Sequence, residues 1–217
     1  MSTPGIDEPD RRGRTGLNAV GRDLVGNPRV RVTDVELLAS DWHVLRKTTL
    51  EYLGDDGTWS TQTRETYDRG DGATILLYDT AARTVLLVRQ FRYPAYVNAH
   101  PDGYLDETPA GLLDEDDAAD AIRREVLEET GLEIGEAQSL YSLYMSPGSI
   151  TERIHFFAAP YLSRSQGTRA GLAEEGEEIE LIEWDIDAAI AAIGRGILDG
   201  KTALLLYWAV TTGPFAA

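Results

Sequence analysis

The sequence predicts an α/β fold in which mixed sheets lie between helices. Three observations lead there. Two continuous apolar runs, Gly72 to Tyr78 and Thr84 to Phe91, read as fully buried strands. One central segment, Ala118 to Thr130, puts Ala118, Ala119, Ile122 and Val126 on a single stripe at about 100° per residue. Two late segments, Asp187 to Gly194 and Lys201 to Thr211, read as closing helices.

Residues 1–28 are rich in Gly, Pro, Arg and Asp without sustained periodicity, which predicts a mobile arm. From Arg29 the texture alternates. Arg29 to Leu38 has alternating features, and His43 to Leu53 reads as a strand. Gly54-Asp55-Asp56-Gly57 is a turn, and Thr58 to Tyr67 alternates again. This makes residues 29–70 an N-terminal β-sheet or hairpin. A hairpin is marginal by itself, so a second subunit is its expected partner and dimerisation its expected role.

Residues 71–217 read as a second and larger domain. Asp79-Thr80-Ala81-Ala82-Arg83 joins the two core strands, and Tyr93-Pro94 breaks the second. A short strand from Tyr104 to Thr108 leads into Pro109 and a glycine loop beginning at Ala110. The central helix follows, with Asp114, Asp116 and Asp117 at its start as capping oxygens and Gly131 as its left-handed stop. Gln138 to Met145 and Ile150 to Ala159 are strands on either side of Ser146-Pro147-Gly148-Ser149. Ser163 to Gly176 reads as a mobile polar loop, and Ile179 to Trp184 as a strand. There is no internal repeat.

Composition narrows the function. The chain has 217 residues, 42% hydrophobic and 26% charged, as an ordinary globule does. Its net charge of −17 disfavours nucleic acid and anionic membranes as partners. An anionic substrate would need local help from Arg, Lys or a metal ion. The absence of cysteine excludes disulfides, thiolate nucleophiles and cysteine metal sites. No signal peptide is evident, and the longest apolar run, Ala203 to Val210, is too short to span a bilayer. A cytoplasmic enzyme is expected.

His43, His100 and His155 lack metal-ligand spacing and read as structural or surface residues. No Gly-x-Ser-x-Gly occurs. Asp199-Gly200-Lys201-Thr202 echoes the tail of a phosphate-binding P-loop, but position 195 is arginine where that loop needs glycine, which rejects the motif. Lys201 is left either to meet a phosphate or, more commonly for a helix-starting lysine, to be simply solvated.

The central helix carries the chemistry. Glu129 projects within or beside the apolar stripe, Glu125 lies on its border, and Glu128 is further round. Two carboxylates one turn apart and partly facing a core repel each other and lose solvation. A divalent cation would relieve both. A solvated acidic face is the ordinary alternative, and spacing decides between them. The acidic run Glu174-Glu175-Gly176-Glu177-Glu178 is either a solvated loop or the source of one further carboxylate.

Arg124-Glu125-Val126-Leu127-Glu128-Glu129-Thr130-Gly131-Leu132 resembles the second half of the box of the Nudix hydrolases, and Gly111 supplies the opening glycine. Asp117 stands where the box has its first Glu, with six rather than seven residues before Arg124, so its share in metal binding stays open. From about Ser40 to Ala209 the chain is similar to the GDP-mannose hydrolases, a branch related to the ADP-ribose pyrophosphatases. The similarity is carried by Arg64-Glu65-x-Tyr67-Asp68-Arg69-Gly70, Arg89-Gln90-Phe91-Arg92, Ala110-Gly111-Leu112-Leu113-Asp114, Leu143-Tyr144-Met145-Ser146-Pro147-Gly148, His155-Phe156-Phe157 and Asp199-Gly200-Lys201-Thr202.

The resemblance implies an α/β/α sandwich, a homodimer with an exchanged N-terminal sheet, and Mg²⁺ (with Mn²⁺ as substitute). It implies cleavage of GDP-mannose to GMP and mannose 1-phosphate. Metal ligation falls on the Ala110 carbonyl, Glu125, Glu129 and Glu177, with Glu175 the neighbouring candidate for the last, and Glu128 completes the catalytic glutamates. Substrate contacts fall on Arg92, Ala110, Gly111, Leu112, Glu152 and Lys201, with Trp42, Thr63, Arg64 and Glu65 reaching the partner's site. An ADP-ribose or other nucleotide-sugar hydrolase is the alternative. A non-enzymatic binding domain ranks last, because its box glutamates would be eroded.

Overall fold

The computed structural model describes residues 4–11, 13–15, 26–113, 117–134, 136–161, 169–170 and 178–216. The chain divides into two units, Met1–Asp71 with Leu143–Ile154, and Gly72–Ser142 with His155–Ala217.

The first unit is built on an antiparallel three-stranded sheet in the order β1 (Val30–Ser40), β2 (Val44–Leu53) and β3 (Trp59–Asp68). The β2–β3 hairpin runs in register from Leu53↔Trp59 to Val44↔Asp68. Its turn is chemically specified. Gly57 takes φ 79°, and the Asp56 carboxylate accepts from the Thr58 amide at 2.9 Å. The stretch from Arg29 that showed only alternating features is the third strand. It is irregular, with register shifts at Val32/Asp34 and Leu37/Ala39.

Part of the stretch expected to be a mobile arm is fastened to this sheet. A four-residue helix, α1 (Pro4–Asp7), is followed by a bend. Arg46 on β2 is 3% exposed. Its guanidinium donates to the Gly5 carbonyl at 3.0 Å and the Glu8 carbonyl at 2.7 Å. Charge-assisted bonds of this kind are about twice as strong as neutral ones, and they hold the segment to β2. After β3 the chain is tied to the 143–154 segment. The Tyr67 amide donates to Ser149 O at 2.8 Å, and Thr151 Oγ1 donates to Asp68 at 2.9 Å.

The second unit holds most of an eight-stranded sheet. Its strands are β4 (Asp71–Asp79), β5 (Thr84–Phe91), β6 (Tyr104–Glu107), β7 (Ala110–Leu113), β8 (Gln138–Tyr144), β9 (Arg153–Pro160), β10 (Arg169–Ala170) and β11 (Ile179–Asp185). The path is β10-β11-β5-β4-β9-β8, with β6 added to β5 and β7 to β4. The helices are α2 (Tyr93–Val97), α3 (Ala118–Thr130), α4 (Ile186–Ala192) and α5 (Gly200–Thr211).

On β4, Ala73, Ile75 and Leu77 meet Ile122 and Val126 of α3 together with Phe157 and Ala159 of β9. Alternate residues of a strand point to opposite faces, and Leu76 between them is equally buried. Both faces of the sheet are therefore covered, as the apolar runs required. This is the mixed α/β architecture that the resemblance implied.

Two local expectations change. Ala110 to Leu113, read as a glycine loop, forms the short strand β7. Four residues without alternation carry no strand signal, and it is pairing with β4 that extends them. Tyr93-Pro94 ends β5 as expected, but α2 follows at once, because proline suits the first turn of a helix.

Candidate active site

The site grows from a fork in the sheet. The register of β4 on β5 runs over Leu77–Asp79 and Thr84–Leu86. Beyond it β6 continues on β5 and β7 on β4. The chain crosses from β6 to β7 through two residues, Thr108 and Pro109. The Pro109 carbonyl accepts from the Ile75 amide at 3.0 Å and from Thr74 Oγ1 at 3.1 Å.

The next amide, Ala110 N, donates to Glu129 Oε2 at 3.3 Å. Glu129 is 5% exposed, the most buried of the three box glutamates, while Glu125 and Glu128 are half-buried. Helix geometry explains the order, since residues 118, 122, 126 and 129 share the face turned to the sheet. Asp117 caps the helix by accepting from the Ala119 amide at 2.9 Å, and Gly131 ends it at φ 68°. That contact gives Asp117 a structural task.

Gly111 is where the glutamates meet the strand. A Cβ there would lie 2.1 Å from Cδ and Oε1 of Glu125. The Glu125 carboxylate thus rests on the bare Cα, in space that any side chain at 111 would fill. Glu125, Glu129 and the backbone at 110–111 form a compact set of hard oxygens, the donor chemistry that a divalent cation of the Mg²⁺ type selects. Among the described residues no three Asp, Glu or His side chains gather into a ready cluster. Glu177 and Glu175 lie outside the described residues, as do Asp114 and Asp116.

Two cations border this set. Arg92, just past β5, binds Glu107 Oε2 through Nε at 3.0 Å and through Nη2 at 2.6 Å. Burial works against its charge, but Glu107, with help from Glu129 and Asp199, outweighs burial and raises its pKa above the ordinary arginine value. A guanidinium has five N–H donors, and Glu107 takes two. Lys201 stands in the first turn of α5, with Nζ 2.7 Å from Asp199 Oδ1. Asp199 also caps that helix through the Thr202 amide at 2.8 Å. The start of α5 is tied to the fork, because Thr202 Oγ1 accepts from the Thr108 amide at 2.8 Å.

The second unit therefore holds Arg92, Ala110, Gly111, Leu112, Glu125, Glu128, Glu129 and Lys201. The other predicted contacts belong to the first unit. Trp42 is 74% exposed in the turn after β1. Thr63, Arg64 and Glu65 lie on β3, where Arg64 donates to Thr63 O at 2.9 Å and to Gln62 Oε1 at 2.6 Å. Glu152 is buried against Arg69 at 3.2 Å. His100 is structural, its Nδ1 accepting from the Gly103 amide.

Sequence reasoning gave no role to Glu107, Asp199 or the three buried threonines 74, 108 and 202, although Asp199 and Thr202 stood in the Asp199-Gly200-Lys201-Thr202 motif. Adjacent carboxylates on a short strand before Pro109 were the available signal for Glu107. Its neighbour Asp106 is likewise buried, pairing with Arg89 at 2.6 Å and accepting from Trp184 Nε1 at 3.1 Å.

Residues 29–67 match the family model described as the GDP-mannose pyrophosphatase NudK N-terminal domain, and residues 68–194 match that of the NUDIX domain. A GDP-mannose pyrophosphatase of Yersinia enterocolitica is 51% identical over 179 residues, which is 82% of this chain and 93% of that protein. One from Pectobacterium atrosepticum is 46% identical over 188 residues, 86% of this chain and 97% of the relative. Among solved structures, a crystal structure of an ADP compounds hydrolase aligns with TM-score 0.64 at 19% identity, covering 86% of this chain and 97% of that one. At that identity the likeness is one of fold.

Proposed function

The chain belongs to the Nudix family and is a hydrolase of pyrophosphate bonds, and from this premise we propose that it cleaves GDP-mannose to GMP and mannose 1-phosphate. The observation that carries this reading is the span of the likeness. It takes in the N-terminal sheet as well as the box, with relatives named for that substrate over more than four fifths of the chain. ADP-ribose is the competing substrate. A cytoplasmic setting is part of the proposal, and a cysteine-free chain is compatible with it.

Residues present fit a divalent cation, and we assign Mg²⁺ to the Ala110 carbonyl, Glu125, Glu129 and Glu177, with Mn²⁺ as substitute. When bound, such an ion neutralises diphosphate charge and lowers the pKa of water. The protein's own groups do the rest. Arg92 and Lys201 offer positive charge to the diphosphate within a chain whose net charge is −17. Glu107 and Asp199 hold these two side chains in place, so less orientational entropy is lost when substrate arrives. Glu128 is assigned to the catalytic glutamates by its place in the box.

The test is mononucleotide release from GDP-mannose, GDP-glucose, ADP-ribose and NADH with and without chelator. GDP-mannose is expected to have the highest kcat/KM, and turnover is expected to stop on chelation. A preference for ADP-ribose would overturn the substrate, and activity that survives exhaustive chelation would overturn the metal assignment.

We also propose a homodimer in which Trp42, Thr63, Arg64 and Glu65 of one subunit serve the site of the other, with Glu152 as a further contact. The supporting feature is an N-terminal sheet whose strand β3 is mostly exposed in the single chain. Arg64→Ala is expected to weaken substrate use by about 1.5–3 kcal/mol, the value of a charge-assisted contact, and Arg92→Ala likewise. Mixing Arg64→Ala with Glu129→Gln subunits is expected to restore activity, since one site of each heterodimer is then intact. A monomer by light scattering, or no recovery after demonstrated exchange, refutes the shared site.

A further inference from the structure

We propose that Thr74, Thr108 and Thr202 are positioning residues for the Glu129 carboxylate, acting through the Pro109–Ala110 peptide. The three lie far apart in sequence, and all are at most 1% exposed. The inference rests on the hydrolase reading only in giving Glu129 its catalytic use.

The hydroxyl protons can be placed by elimination. Thr202 Oγ1 lies 2.8 Å from Asp199 Oδ2, and an ionised carboxylate only accepts, so Thr202 donates there. Its lone pairs then receive the Thr108 amide at 2.8 Å. Thr74 Oγ1 lies 3.1 Å from the Pro109 carbonyl, which also only accepts, so Thr74 donates to it. The 2.8 Å contact between the Thr74 and Thr108 hydroxyls must then be a donation from Thr108. The 3.3 Å approach of the Thr108 and Thr202 hydroxyl oxygens is left without a proton. Thr108 is thus the branch point: its amide donates to Thr202, which donates on to Asp199, and its hydroxyl donates to Thr74, which donates on to the Pro109 carbonyl.

What that carbonyl does follows from peptide geometry. The described residues contain no cis peptide bond. In a planar trans peptide, C=O and N–H point in opposite directions. The Pro109 oxygen is held by Thr74 Oγ1 and the Ile75 amide. The N–H of the same peptide, that of Ala110, is therefore aimed the other way, and there it meets Glu129 Oε2 at 3.3 Å. Turning this peptide would withdraw the amide from Glu129 and re-aim the Ala110 backbone beside Gly111. Buried hydroxyls that merely satisfy one another would make no such demand.

Thr74→Val removes the donor at nearly constant shape, and Thr74→Ser keeps it. The Ala110 amide resonance is followed in metal-free protein by ¹H–¹⁵N NMR at one pH, with Glu129→Gln identifying the part of its chemical shift due to the hydrogen bond to that carboxylate. That part is expected in the wild type and in Thr74→Ser, and is expected to vanish in Thr74→Val. In the same variants kcat on GDP-mannose is expected to fall about tenfold for Val, with KM within about twofold, and to recover for Ser. A folded Val variant with wild-type kcat or an unchanged Ala110 resonance overturns the proposal, as does a Ser variant as impaired as Val. If Thr74→Val does not fold, Thr202→Val and Thr202→Ser are read in the same way. A wild-type protein that fails to turn over GDP-mannose would overturn the substrate assignment alone, because the amide resonance still decides the positioning.

Discussion

Glu129→Gln is expected to lower turnover by about two to three orders of magnitude while leaving the fold intact. Glutamine keeps the volume and an oxygen that can accept from the Ala110 amide, so packing at this 5% exposed position is preserved. What disappears is the negative charge, the property that a cation requires. Asp117→Asn is the matched control. Asparagine caps helices about as well as aspartate, and the cap on the Ala119 amide is the contact Asp117 makes in the structure. Little change in either turnover or melting temperature is expected there. Equal kinetic losses in the two variants, measured as kcat at saturating metal, would mean that Asp117 shares the metal.

Gly111→Ala is expected to cost about a hundredfold in turnover and only about 1 kcal/mol in stability. The new methyl would fall 2.1 Å from Cδ and Oε1 of Glu125 and 2.5 Å from Cγ. The neighbour that must yield is the end of a flexible side chain, so the fold survives by letting the carboxylate leave its place. The damage then falls on chemistry. A double-mutant cycle separates the two effects, since Gly111→Ala should add little once Glu125→Gln has removed the charge. Full activity in Gly111→Ala would show that the position of the Glu125 carboxylate does not matter.

The helix that holds both glutamates was legible because its information is local. Apolar residues at helical spacing, an aspartate at the start and Gly131 at the end fix length, face and termini within 15 residues. The apolar runs that became β4 and β5 were equally plain. What could not be read was pairing across distance. Nothing in the residues between Arg92 and Glu107 announces that they meet, and Thr74, Thr108 and Thr202 are ordinary threonines until the fork and the start of α5 bring them together. Gly111 was found as a motif letter, but its physical reason needed the Glu125 side chain in place. The fastening of residues 4–8 was hidden for a related reason. Composition predicted a mobile arm there, whereas its anchor is an arginine some 40 residues away.

The fork between β4 and β5 has a consequence for how backbone groups are spent. In a sheet that zipped shut along both strands, each interior amide and carbonyl would be consumed by its neighbour. Here the pair separates after a few residues, and the two infilling strands are joined by a hop too short to make a ladder of its own. The peptide groups of 108–110 must therefore find partners elsewhere, and beside the Ile75 amide they find the side chains of Thr202, Thr74 and Glu129. An unfinished ladder is a source of oriented dipoles on a rigid frame, available without the entropy cost of ordering a loop.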